Sequence, residues 1–193
     1  MIAPERTACI LLAAGRSERF GPQDKLLAAL HGEPVGCHAG RTFASLPFSA
    51  HIAVVADPAG PLAVALRDLG FSIATGEASR KGMGHSIAIA MRALSLPNHE
   101  AVMIALADMP FVTEAHVQGL LARWTGEETI VASGHPAGHA LPPALFGRAH
   151  FPSLAAASGD RGARDLLQGA LRVEASADEL ADIDRPGDLP GAD

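Results

Sequence analysis

The sequence predicts an α/β fold, a mostly parallel sheet carrying helices on both faces in a three-layer α/β/α arrangement. Three observations predict it. Short apolar runs bounded by turn residues recur along the chain, and runs of that kind read as strands buried on both faces. Helix-like segments of about ten residues separate them. The strict rhythm of strand, helix, strand, helix belongs to parallel strands joined by crossover helices.

The elements follow in order. The first run, "ACILLAA" at 8–14, leads through a charged loop to a helix, "VGCHAGRTFASL" at 35–46, with Pro34 suited to a first helical turn. The second strand, "HIAVVA" at 51–56, precedes a helix at 61–70 that Pro61 opens and Gly70 closes. "FSIAT" at 71–75 leads into the turn and helix of "GMGHSIAIAMRALSL". "VMIALAD" at 102–108 precedes the helix of "EAHVQGLLARW", with Thr113 as its cap, and "TIVAS" at 129–133 is the fifth strand. No internal repeat or low-complexity linker interrupts the pattern. The 193 residues therefore fit one domain, 1–193, with a sizeable core.

Composition excludes several function classes. The net charge is −6 and there is no basic run, so general electrostatic binding of nucleic acid or anionic lipid is not expected. With no Tyr and one Trp, stacking on bases is a poor prospect. Two cysteines, Cys9 and Cys37, are too few for a disulfide framework or a thiolate zinc site. His135 and His139 are separated by Pro136 and Gly138, so no helix presents them to a metal. "HGE" at 31–33 lacks the Cys-x-x-Cys of a zinc deaminase. No apolar stretch is long enough to span a bilayer or serve as a leader, and a cytoplasmic location is expected.

In sheets of this kind ligands bind beyond the carboxyl ends of the strands. The residues just after the apolar runs are accordingly the candidates for chemistry. After the first run, "AGRSERFGPQDK" sets Arg16, Arg19 and Lys25 among Gly15 and Gly21, a local positive field in an acidic chain. The loop is not a P-loop, because five residues separate its glycines and Leu26 follows the lysine. Gly82-Met83-Gly84 begins a dinucleotide fingerprint, but Ile87 stands where the third small residue belongs. What remains is a cradle of backbone amides and cations able to hold a triphosphate. Asp108, in "LADMP", follows a run with no other charge and should stand at the sheet's carboxyl edge, where a hard oxygen ligand facing phosphates suits Mg²⁺. The tail "ADIDRPGDL" offers Asp182, Asp184 and Asp188 as partners. Gly82, Gly84 and Ser86 open a helix whose first amides can meet an anion. Asp160, Arg161 and Arg164 in "GDRGARDLL" are candidates for a second phosphate.

Together these segments resemble the nucleotidyltransferases of the molybdenum cofactor branch, the cytidylyltransferases most closely. The matching text is "LLAAGRSERFGPQDKLL", "GMGHSIAIAM", "ALADMPFV", "PPALFGRAHFPSLAAASGDRGARDLL" and "DIDRPGDL", in order from Ala8 to Leu189. The resemblance implies a Rossmann-like sheet with one antiparallel strand, Mg²⁺ dependence, and transfer of CMP from CTP to a molybdopterin-type acceptor with release of pyrophosphate. It implies Lys25, Arg19 and Asp108 as catalytic residues, and Leu12, Ala13, Ala14, Gly15, Arg16, Gly82, Gly84 and Ser86 as nucleotide-binding ones. Asp160 and Arg164 would bind the acceptor, and Asp108 with Asp184 the metal. Ala14 stands where members using GTP carry glycine, which argues for CTP. Leu141 and Arg185 depart from the pattern, which has Gly and Thr there. A molybdenum hydroxylase would be the product's client. The competing expectations are a transferase using another NTP or a sugar or isoprenoid phosphate, and a non-catalytic cofactor-binding or insertion factor.

Overall fold

The computed structural model describes residues 1–15, 17, 19–21, 23–76, 82–95, 98–159 and 165–190. Nine strands and five helices are assigned among them. A seven-stranded sheet runs in the order β5 (Ser72–Ala74), β4 (Ala50–Val55), β1 (Thr7–Ala13), β6 (Ala101–Leu106), β8 (Ala140–Gly147), β7 (Ile130–Gly134), β9 (Leu171–Glu174). β5, β4, β1 and β6 are mutually parallel; β8 runs antiparallel to both β6 and β7, and β9 returns parallel to β7. The chain enters at β1, builds outward to β5, then crosses to β6 on the other flank. The switch point of the sheet therefore lies between β1 and β6, where such folds bind ligands.

The strands are buried on both faces, as the apolar runs require. Cys9, Leu11 and Ala13 point into one core with Val35 and Phe43 of α1 (Val35–Ala44), Leu66 of α2 (Pro61–Asp68) and Leu120 of α4 (Glu114–Ala122). Ala8, Ile10 and Leu12 point into the other with Ile87 and Met91 of α3 (Met83–Ala93) and Leu154 of α5 (Phe151–Ala155). This is the two-residue period of a strand serving two helical layers. Thr113 caps α4 by accepting the His116 N–H, and Gly70, at φ 96°, takes the left-handed turn after α2.

Five elements were not expected from the runs. β8 contains Pro142 and Pro143, residues that argue against a strand inside a sheet. It is accommodated with a register shift at Ala132/Ser133 in its partner β7. β9 is largely exposed and lacks the apolar signature, α5 has a single turn, and β2 (Ala29–Leu30) with β3 (Glu33–Pro34) forms a small ribbon before α1. Boundaries of the expected strands and helices shift by up to three residues, so that Ala14 lies just beyond β1 and Asp108 two residues beyond β6. Among the described residues no helix is long and apolar enough to cross a membrane.

Candidate functional site

Three segments far apart in sequence meet at the carboxyl edge between β1 and β6. The loop after β1 ends in a 3-10 turn, Lys25–Leu27, whose cap Asp24 accepts the Leu26 N–H. The residues after β6 stay beside β1, because the Ala107 N–H donates to the Leu12 carbonyl at 3.0 Å. The tail is laid against the same edge by the Ile183 N–H, which donates to the Asp108 carbonyl at 2.8 Å. Ile183 is buried while Asp184 remains half-buried, so the tail is pinned by one side chain and presents the next.

The result is a compact charge cluster. Lys25 Nζ donates to Asp108 Oδ2 at 2.7 Å and to Asp184 Oδ1 at 2.6 Å. Arg19 Nη1 donates to the other oxygen of Asp184 at 3.0 Å. The Lys25 side chain is 9% exposed, that of Arg19 71%. Burial alone would lower the Lys25 pKa, but the charges and hydrogen bonds of Asp108 and Asp184 outweigh it and hold the ammonium above its ordinary range. The Lys25 hydrogen bond leads in drawing Asp184 below the usual carboxylate range. Asp108 moves the other way: burial raises it, Lys25 opposes, and Asp182 and Asp184 add repulsion. The Arg19–Asp184 contact, open to water, is worth about 0–1 kcal/mol. Lys25 is the cation that counts energetically.

The cluster fits a hard divalent cation by an independent observation. Asp108 Oδ1 is buried and has no hydrogen-bond partner among the described residues. An orphaned carboxylate oxygen beside a second carboxylate is a ligand set for an ion that draws its other ligands from water and phosphate, as Mg²⁺ does. Among the described residues there is no group of three or more His, Cys, Asp or Glu able to hold a metal, so a closed all-protein cage is not built here. Asp182 is exposed and lies near enough to Asp108 to act on its charge, but Asp184 is the one that shares Lys25.

The remaining expected residues fall into two groups. Leu12, Ala13 and Ala14 are buried at the end of β1, and Gly15 is exposed just past it. Gly82 caps α3 at φ 122°, and Ser86 is buried in the first turn of that helix. At Gly84, one of the residues expected to open the helix toward an anion, the close approach is to the chain itself. Its N–H donates to the Gly159 carbonyl at 2.8 Å, and a Cβ there would lie 2.7 Å from that oxygen and 2.8 Å from Ser158 backbone atoms. The approach its small size permits is to the chain's own 158–159 turn, which also donates the Gly159 N–H to His85 Nδ1 at 3.1 Å. Arg16, Asp160 and Arg164 lie outside the described residues.

Sequence reasoning missed Ser17 and Asp24. Ser17, held at φ 51°, accepts the Lys25 N–H at 3.1 Å and donates to Asp24 Oδ1 at 3.1 Å. This side-chain clip fixes where the 3-10 turn begins and therefore where Lys25 starts. The available signal was "DK" ahead of an apolar pair, a capping residue before a short turn.

The model of the MobA-like NTP transferase domain matches residues 9–177. The chain is 30% identical over 191 residues to the purine catabolism protein PucB of Bacillus subtilis (strain 168), covering 92% of this chain and 91% of that protein. It is 28% identical over 169 residues to the molybdenum cofactor guanylyltransferase of Pseudomonas entomophila (strain L48), covering 86% of this chain and 84% of that one. Among solved structures, a Mycobacterium sp. strain JC1 homologue of Mycobacterium tuberculosis rv0371c superposes with a TM-score of 0.78 at 25% identity, over 95% of this chain and 93% of the other.

Proposed function

This chain belongs to the family of MobA-like NTP transferase domains, and from that premise we propose that it transfers CMP from CTP to a molybdopterin-type acceptor. It is an enzyme of the nucleotidyltransferase type; the nucleotide, the acceptor and the residue roles are the proposal, with residues 1–193 acting as one domain. The observation that carries it is the convergence of Lys25, Asp108 and Asp184, within 2.7 Å contacts, at the switch point of the sheet.

In the proposed reaction a phosphate oxygen of the acceptor attacks the α-phosphorus of CTP in line. The bond from that phosphorus to the bridging oxygen breaks, and pyrophosphate leaves. No covalent nucleophile on the protein is needed, and the work is positioning and charge neutralisation. Arg16 and Arg19, with the amides around Gly15, are assigned to the β and γ groups. Lys25 is assigned to the α-phosphate, where charge builds in the transition state. Gly82 and Ser86 border the nucleotide side, and Asp160 with Arg164 are assigned to the acceptor. Asp108 and Asp184 are assigned as holders of Mg²⁺; when bound, the ion neutralises phosphate charge between nucleotide and acceptor. The need for it is one of magnitude. Two unit charges about 4 Å apart interact by roughly 4 kcal/mol at an effective dielectric of 20, and two phosphates meet with several such pairs. Lys25 alone does not offset that.

CTP rests on Ala14 through the resemblance. A second reading keeps the chemistry and changes the substrates: of the two relatives, one is named a guanylyltransferase and the other a purine catabolism protein. Pyrophosphate release with Mg²⁺ and molybdopterin, run with CTP, GTP and ATP in parallel, tests both. Release with CTP alone supports the proposal. Release with another nucleotide, or only with sugar or isoprenoid phosphates, supports the second reading, and no release with any pair leaves a non-catalytic binding or insertion factor. The molybdenum hydroxylase client follows only if molybdopterin is the acceptor.

A further inference from the structure

We propose that Lys25 is an internal counter-ion that keeps the Asp108–Asp184 pair from taking up a divalent cation until a nucleotide arrives, so that the ion enters as its complex with the nucleoside triphosphate. The inference rests on reading this edge as a nucleotidyltransferase site and names the form of its substrate.

The geometry carries it. The Lys25 ammonium touches one oxygen of each carboxylate, at 2.7 and 2.6 Å, which is where an ion bridging the two would stand. Arg19 occupies the second oxygen of Asp184. The two carboxylates are thus matched by two cations, so their own charge is already paired before any ion arrives. Of the four oxygens of this pair, Asp108 Oδ1 is the one without a partner among the described residues, one ligand where an ion wants several. A divalent ion settling there would stand within a few ångströms of a buried ammonium and be repelled by it.

A nucleotide changes the balance. Its polyphosphate supplies oxygen ligands and several negative charges, and it gives Lys25 another partner. The lysine has a flexible four-carbon stem and no fixed fork geometry, so its ammonium can leave the carboxylates while its backbone stays put. The backbone is held independently, by Ser17 Oγ at the Lys25 N–H and by the Lys25 carbonyl, which accepts the Ala28 N–H at 3.2 Å. Exchange of an ammonium for a metal ion at the carboxylates, and of carboxylates for phosphate at the ammonium, leaves neither charge unpaired.

The test reads binding and needs no acceptor. Mn²⁺ is titrated into the full chain and its free fraction followed by electron paramagnetic resonance, with and without CTP, in wild type, Lys25→Met and Lys25→Arg. In wild type Mn²⁺ binds weakly alone and at least about tenfold more tightly with CTP. Lys25→Met binds Mn²⁺ alone at least about tenfold more tightly than wild type, the order expected for removing a unit charge within a few ångströms of the ion. Lys25→Arg, which keeps the charge, stays weak. Should the methionine variant not fold by circular dichroism, Lys25→Gln reads the same quantity. Wild-type-like weak binding in the neutral variant overturns the proposal, and so does tight binding in the arginine variant, because charge would then not be what holds the ion off. A failure of pyrophosphate release with every acceptor would remove the reading of the reaction and leave these binding results standing.

Discussion

The two edges of the sheet solve the burial of polar groups in opposite ways. At the amino edge, Ser49 Oγ donates to the Thr7 carbonyl at 2.8 Å and lies 2.8 Å from His99 Nδ1, while Arg148 donates to the His99 carbonyl. With its hydroxyl proton used on Thr7, Ser49 accepts from the Nδ1–H of a neutral imidazole. Burial first, and then the charge of Arg148, keep His99 below the ordinary imidazole range, so the imidazole stays neutral. At the carboxyl edge, full charges from three distant segments are brought within hydrogen-bonding distance, one carboxylate oxygen is left orphaned, and a non-glycine residue is held at positive φ. The amino edge pairs these groups with one another; the carboxyl edge gathers full charges and holds a residue in the left-handed region. Polar groups that serve stability are paired locally, and a buried carboxylate whose charge folding disfavours, with one oxygen unpartnered among the described residues, marks the place where a ligand completes the pairing.

The largest expected effect breaks this contrast directly. Asp108→Asn lowers turnover by at least about a hundredfold, the loss typical of removing one preorganised electrostatic element. The same variant leaves the urea midpoint close to wild type, because the buried charge it removes is one that folding disfavours. Pyrophosphate release and urea melts on one preparation check both halves. A wild-type rate would remove Asp108 from the metal. Lys25→Ala also lowers turnover, and a change confined to apparent nucleotide affinity would move Lys25 to a binding role.

The amino edge is expected to behave in reverse. Ser49→Ala costs about 1–2 kcal/mol of stability, since it leaves the His99 Nδ1–H without its acceptor, and leaves turnover unchanged. Acidification sharpens the comparison. His99 and His116 are both lowered, chiefly by burial, so below an unfolded imidazole value of about 6.5 the unfolded chain binds protons that the folded chain does not. Their contribution is complete above that pH and is lost as the pH falls beneath it. The urea midpoint therefore drops between pH 7.5 and 5.5, and His99→Gln flattens that drop. Asp184, lowered through its Lys25 hydrogen bond, stabilises above the ordinary carboxylate range and gives this up only at still lower pH.

Much of the carboxyl edge was legible because a parallel sheet places the ends of its apolar runs together. Asp108 could be read from a charge closing an otherwise apolar run, and Lys25 from a cation after a glycine turn. The choice of Asp184 over Asp182 could not, because the tail is neither helix nor strand and its facing is set by the Ile183 N–H bond to the Asp108 carbonyl, the burial of Ile183 and the Asp188 carboxylate that accepts the next two N–H groups. β8 was hidden by Pro142 and Pro143, and β9 by its exposure. The approach of the 158–159 turn to Gly84 could not be read, because sequence does not tell which backbone comes close. The amino-edge relay was invisible for the same reason: Ser49, His99 and Arg148 are remote in sequence and ordinary one by one.

Ser17 gives the smallest effect and the finest test, because it contributes both to the strain and to the positioning of the carboxyl edge. Its hydroxyl is the acceptor for the Lys25 N–H and the donor to Asp24, and its backbone sits at φ 51°. Ser17→Ala and Ser17→Gly both delete the hydroxyl, so both should lower turnover, by about three- to tenfold, the equivalent of roughly one hydrogen bond of about 1 kcal/mol misplacing the lysine. Only glycine accepts the left-handed conformation without a Cβ penalty, so the glycine variant should be the more stable of the two, by about 1 kcal/mol. Equal stabilities would show that the φ of Ser17 carries no strain. Full turnover in either variant would show that Lys25 is placed by the Asp24-capped turn alone, and the positioning of the edge would then reduce to that turn.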